Sequence, residues 1–135
     1  ITPIFVLAGN INPARIATAN TAADGSGTLI TLITAGASGS RVDGVRFRNS
    51  QVTAGITGAQ VHRIFLSDTA GTNHRLIGEV ATATATRSIT AVGATSIFTF
   101  DQPIIMLSGQ IMSVVQSRFD SVADQFDACA FAGDY

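Results

Sequence analysis

The stretch Arg41-Val42-Asp43-Gly44-Val45-Arg46-Phe47-Arg48-Asn49 decides the fold class. From Val45 to Arg48 apolar and basic residues alternate, so an extended chain puts Val45 and Phe47 on one face and Arg46 and Arg48 on the other. Val42 is out of phase with Val45, and a bulge at Asp43-Gly44 returns it to the apolar face. The segment therefore reads as a half-buried strand with a defined dry side.

Similar runs rich in Val, Ile, Phe and Thr recur on both sides of it. They predict strands near residues 15–19, 28–34, 41–49, 60–67, 75–81, 95–100, 110–117 and 125–131. Turn-forming residues separate them at Asp24-Gly25-Ser26-Gly27, 36–40, 53–58, 68–73 and Ser108-Gly109, the last being the clearest tight turn. No helical period interrupts the series. The expected fold is all-β: a single antiparallel, jelly-roll-like sandwich of about eight strands over residues 14–135, with an extended N-terminal arm at 1–13.

The arm carries the apolar run Ile4-Phe5-Val6-Leu7 between Pro3 and Pro13. Such a run must pack on its own sandwich, as an ordinary first strand would, or on a neighbour. Phe98 and Phe100 alternate with Ile97 and Thr99 and read as core. The 60–67 strand is apolar on both faces, with His62, Ile64 and Leu66 opposite Val61, Arg63 and Phe65. Cover on both sides, by the core and by a neighbouring copy, is the expectation. Ala81-Thr82-Ala83-Thr84-Ala85-Thr86, if extended throughout, puts every Thr on one face and reads as an edge or linking β segment.

A length of 135 residues suits one domain. The single cysteine, Cys129, permits no intrachain disulfide and reads as a small buried apolar residue of the last strand. Only 13% of residues are charged, against about 25% in an ordinary soluble domain. A surface this neutral resists self-association weakly, which points to a partner surface or identical copies. All eight basic residues are Arg, suited to fixed pairing at interfaces. With a net charge of −1 and no basic run, nucleic-acid binding is disfavoured. The apolar stretches are too short to cross a bilayer, and no basic segment before the first marks it as a signal peptide.

Candidate chemistry is sparse. Asp68-Thr69-Ala70-Gly71 approaches the Asp-Thr-Gly loop of aspartic proteases but has Ala70 where Gly is required, so a turn is expected. His62 and His74 lack metal-ligand spacing and read as satisfied or solvent-exposed. Gly36-Ala37-Ser38-Gly39 is not a nucleophile elbow, and the glycines at 25 and 27 lack the helix of a phosphate cradle. With no Trp and a single Tyr, Tyr135, a sugar-stacking site is weakly supported. No enzyme activity, metal or cofactor is expected.

The segment Arg15-Ile16-Ala17-Thr18-Ala19-Asn20-Thr21-Ala22-Ala23-Asp24-Gly25-Ser26-Gly27-Thr28, with residues 36–47 and the close at 126–135, resembles small structural proteins of tailed bacteriophages. The resemblance is one of Ala/Thr/Gly-rich strands, low charge and a Gly-Asp-Tyr end. It implies a capsid decoration or cement protein on the outer surface of the virion, bound to the major capsid protein as a homo-oligomer. A trimer is expected by analogy with viral jelly rolls. The candidate partner contacts are Ile4, Phe5, Val6, Leu7, Arg46, Arg48 and Arg63. Two other readings stay open: a tail, fibre or host-glycan binding module, and an extracellular filament subunit joined by strand addition.

Overall fold

The stretch around Val45 is the long strand β4 (Ser40–Asn49), central in one of two sandwiched sheets of the computed structural model, which describes residues 6–51 and 54–135. The strands before it are β1 (Ala8–Gly9), β2 (Ala14–Ile16) and β3 (Ile30–Thr34). After it come β5 (Gly55–Thr57), β6 (Gln60–Leu66), β7 (Arg75–Thr82), β8 (Ala85–Arg87), β9 (Thr95–Met106), β10 (Ile111–Gln116) and β11 (Phe126–Asp134). A single 3₁₀ turn, Val122–Asp124, precedes β11.

The longer strands pair in a nested series: β2 with β11, β3 with β10, β4 with β9, and β6 with β7. An antiparallel ribbon paired in this way and wrapped over itself gives the two sheets observed, β2-β11-β4-β9 and β3-β10-β6-β7. This is jelly-roll topology. All eight strands expected from the sequence are present, and β1, β5 and β8 are short additions; β5 and β8 form a separate two-stranded ribbon.

Between the sheets lie Ile16, Ile33, Val42, Val45, Phe47, Ile64, Met106, Met112 and Phe126, each essentially inaccessible to solvent. The bulge in β4 falls at Asp43, which both neighbouring strands skip. Val42 pairs with Ala132 and Ile104, while Gly44 pairs with Phe131 and Thr99. Val42 and Val45 are therefore both buried. A side chain at Gly44 would stand 2.6 Å from the Phe98 carbonyl, so the tightened ladder demands glycine.

The structure lengthens one expected strand, bears out the Ser108-Gly109 tight turn and divides the Ala-Thr run. β9 continues past Phe100 and Pro103 to Met106; residues 100–103 lie outside the ladder on an edge strand, where a missing N–H costs no pairing. The Ser108-Gly109 turn is tight, with Gly109 at φ +89 and Gln110 N–H donating to the Leu107 carbonyl at 3.0 Å. It carries the chain from one sheet to the other and does not form a hairpin. The Ala-Thr run splits between β7 and β8: Thr82 faces inward, whereas Thr84 and Thr86 are exposed, because the chain changes sheets at Ala83-Thr84.

The second face of β6 is covered by the chain itself. In the segment between β2 and β3, Ala19 bridges to Gln116 of β10, the Thr21 carbonyl accepts from Arg63 of β6, and Gly25 abuts the His74 backbone beside β7. That crossing accompanies the complete burial of Phe65 and the near-complete burial of Val115 and Ser113. The described part of the arm packs on its own sandwich, the first of the two expectations for it. Ala8 and Gly9 pair with Asp134 and Gly133, and the Asn10 amide donates to the Thr34 carbonyl and Asp134 Oδ1.

Candidate functional site

The outer face of the β2-β11-β4-β9 sheet carries three adjoining depressions of about 410, 280 and 280 Å³. They share Pro13 and Asp127 on one side and Arg48 and Arg87 on the other, and so make one groove across the end of the sheet. Among the described residues, Arg15, Arg46, Arg48 and Arg87, half of the chain's eight arginines, line it with a single carboxylate, Asp127.

Asp127 is already engaged. Its carboxylate accepts from Arg15 at 3.0 Å across the β2–β11 pair, and that hydrogen bond, with the attraction between the charges, raises the Arg15 pKa above its ordinary value. Arg46 and Arg48 have no carboxylate within ion-pair distance among the described residues. Being two residues apart on one face of β4, their Cβ atoms stand about 7 Å apart. Arg87 is aimed by a 2.7 Å hydrogen bond from its guanidinium to the Asn49 carbonyl. The groove thus holds a formal excess of three positive charges on a chain whose net charge is −1.

The floor of the groove is fixed by Asn49 at the end of β4. Its buried amide donates to the Ala123 and Gln125 carbonyls at 2.8 and 3.0 Å, and its backbone N–H to Ala94 at 2.8 Å. Ser50 N–H continues the tie to Gln125 at 2.9 Å. With the backbone so constrained, side-chain freedom is what these guanidiniums lose on meeting an anion. Beyond the groove, Ile97 of β9 stands beside Arg46 in register and is half exposed. The 88–93 turn presents Ile89 and Val92 to solvent.

The opposite end of this outer face has an apolar hollow of about 480 Å³ lined by Val6, Ile11 and Phe131 and by the Arg41–Asp43 ion pair. The structure thus brings Val6, Arg46 and Arg48 onto one face of one sheet. Leu7 is 83% exposed, and Ile4 and Phe5 lie outside the described residues. Arg63 belongs elsewhere: β6 is in the other sheet, and Arg63 there pairs with Glu79 at 2.7 Å and donates to the Thr21 carbonyl. Strand parity had put it on an outer face, without saying which sheet's. Arg15 and Arg87 were missed because they join Arg46 and Arg48 only through the β2–β11 pairing and the β8 ribbon.

Of the remaining candidates, Asp68 is occupied locally. Asp68 accepts from the N–H groups of Ala70 and Thr72 at 3.0 and 2.9 Å and from the Asn73 amide at 2.7 Å; these bonds, Thr72's foremost, lower its pKa. It is the cap of its own turn. His62 is neither satisfied nor exposed. It is fully buried, neither ring nitrogen has a partner, and desolvation lowers its pKa to about 3. Cys129 is half-buried on the outer face of β11, not in the core as the sequence suggested, because the inward positions there belong to Ala128 and Ala130. Among the described residues no group of three or more His, Cys, Asp or Glu could hold a metal ion, and no helix is long and apolar enough to cross a membrane.

Comparison with known proteins finds no matching family model, no matching curated protein and no matching solved structure.

Proposed function

We propose that this chain is a non-enzymatic virion structural protein, a decoration or cement protein that binds the outer surface of a phage capsid and bridges its major capsid subunits. The observation that carries the reading is the outer face of the β2-β11-β4-β9 sheet, which combines an arginine groove, an apolar hollow and part of the N-terminal arm on one rigid surface. A cement protein acts by burying surface across joints that exist only in the assembled shell, which shifts the equilibrium toward the intact particle. That task needs a stiff scaffold and a broad contact face. The jelly-roll topology is compatible, being used by viral capsid domains, although lectins and cupins share it.

Two features weigh against the competing readings. Among the described residues no aromatic ring lines the groove, so a sugar would lack a stacking platform from them. Ala8 and Gly9 pair with their own chain's β11, so that part of the arm is already used as an internal strand and is not free for donation to a neighbour.

The test is association with particles. Purified shells lacking the protein should take it up at many copies each, and exchange of Arg46 and Arg48 for Glu should abolish uptake while leaving the fold intact. Undiminished uptake by the Glu variant would remove this face from the reading.

A further inference from the structure

We infer that the arginine groove is a docking site for an acidic, extended protein segment whose carboxylates meet Arg46, Arg48 and Arg87 and whose apolar side chains seat against Ile89 and Val92. The inference deepens the adhesive role proposed for this face and rests on that reading for the partner's place in the particle.

Charge is the first argument. Like charges held together on a fixed backbone are unfavourable until an anion neutralises them. Among the described residues only Arg15 of the groove arginines has a carboxylate partner, while Arg87 spends one donor on a backbone carbonyl that orients it toward the groove. Spacing is the second. Arg46 and Arg48 repeat at the two-residue period of a strand, about 7 Å, which is also the same-face repeat of an extended partner. Alternate Asp or Glu residues would meet them in step.

The 88–93 turn supplies the apolar part. It is closed by Ser88 N–H to the Ala91 carbonyl at 3.0 Å and by Thr90 N–H to Ser88 Oγ at 3.2 Å. A turn ordered by its own hydrogen bonds nevertheless leaves Ile89 fully in water and Val92 76% exposed. An alternating acidic and apolar segment covers both features at once.

A nucleic-acid backbone fits less well. It needs a continuing cationic track, whereas this groove contains Asp127 and is flanked by exposed Ile89, Val92 and Ile97.

The experiment is an amide-shift titration of the full isotope-labelled chain at low salt with three probes: a short peptide alternating Glu with Val, its Lys counterpart, and a single-stranded oligodeoxynucleotide of matched charge. The Glu peptide should shift Arg46, Arg48, Arg87, Ile89 and Val92, and its affinity should fall with added salt. Arg48→Gln or Arg87→Gln should weaken it about tenfold. Arg63→Gln, on the opposite face, should not. No response to the Glu peptide, equal weakening by Arg63→Gln, or tighter binding of the oligonucleotide would overturn the inference. Particle uptake separates the two claims: a chain that coats shells but ignores the peptide defeats the groove assignment alone. One that binds the peptide through these arginines but never associates with shells defeats the virion reading alone.

Discussion

His62 and Phe47 stack nearly parallel across the two sheets, with ring centroids 4.4 Å apart and planes 11° from coplanar orientation. Phe126 packs against the same imidazole at a tilt of 59°, with ring centroids 4.5 Å apart. A neutral ring suits this place, and an imidazolium would sit there with no hydrogen-bond acceptor for either nitrogen.

Acid should therefore loosen the sandwich through this one residue. The unfolded chain takes up a proton on His62 near pH 6.5, and the folded chain only near about 3. Below pH 6.5 the unfolded state binds the extra proton, so stability is complete above that pH and falls as pH drops toward 3. Urea unfolding at pH 7 and pH 5 should differ by about 2 kcal/mol. Asp24, Asp68 and Asp124, whose pKa values are lowered, contribute to acid loss only below their ordinary value of 3.8. His62→Leu should abolish the difference between the two pH values. An unchanged pH dependence in that variant would move the proton elsewhere.

Asp124 should behave as a structural carboxylate. It is 2% exposed and accepts from Asp120 N–H at 2.9 Å, Gly58 N–H at 3.0 Å and Arg118 Nε at 3.2 Å. Burial raises its pKa, but these bonds and the Arg118 charge more than offset the penalty. Asp124→Ala removes the acceptor of the Gly58 and Asp120 N–H groups, while exposed Arg118 keeps Asp120, and should cost about 1–3 kcal/mol in chemical denaturation. A loss under half a kcal/mol would show that the loop is held by other contacts.

Gly44→Val tests the bulge. The added side chain meets the Phe98 carbonyl, which is backbone and cannot swing aside. A loss of about 1–3 kcal/mol is expected, read as a fall in thermal midpoint. Gly9→Val, where nothing lies within 4 Å among the described residues, is the matched control and should be close to neutral.

Removal of residues 1–7 separates the arm's two roles. The pairing of Ala8 and Gly9 with β11 and the Asn10 side-chain bonds survive this cut, so the isolated protein should unfold within a few degrees of the full chain. Its uptake by shells should fall sharply. Full uptake by the truncated chain would confine the adhesive surface to the sheet face.

Much of the fold was legible because a two-residue period survives wherever one face is dry. The alternation of Val45 and Phe47 with Arg46 and Arg48, and the phase error at Val42, carried enough information to place both the strand and its bulge. The site was less legible. Parity assigns a residue to a face of its own strand, but which strands share a sheet is settled by long-range pairing, so Arg63 was grouped with Arg46 although a different sheet holds it. Arg87 gave no signal at all. It stands one residue past the Ala-Thr run read as a linking β segment, and reaches the groove from the end of the three-residue β8 through a hydrogen bond to a backbone carbonyl. The covered face of β6 was misread for a related reason: polar Asn20, Thr21 and Asp24 look like solvent loop, yet the segment that contains them crosses the sheet.

Electron microscopy of native particles decides whether this chain coats a capsid shell. The account predicts density for this chain repeated over an icosahedral shell, with the outer face of the β2-β11-β4-β9 sheet turned toward the major capsid protein. Shells without such density, with the chain instead confined to a tail or fibre, in free filaments, or as isolated oligomers, would contradict it.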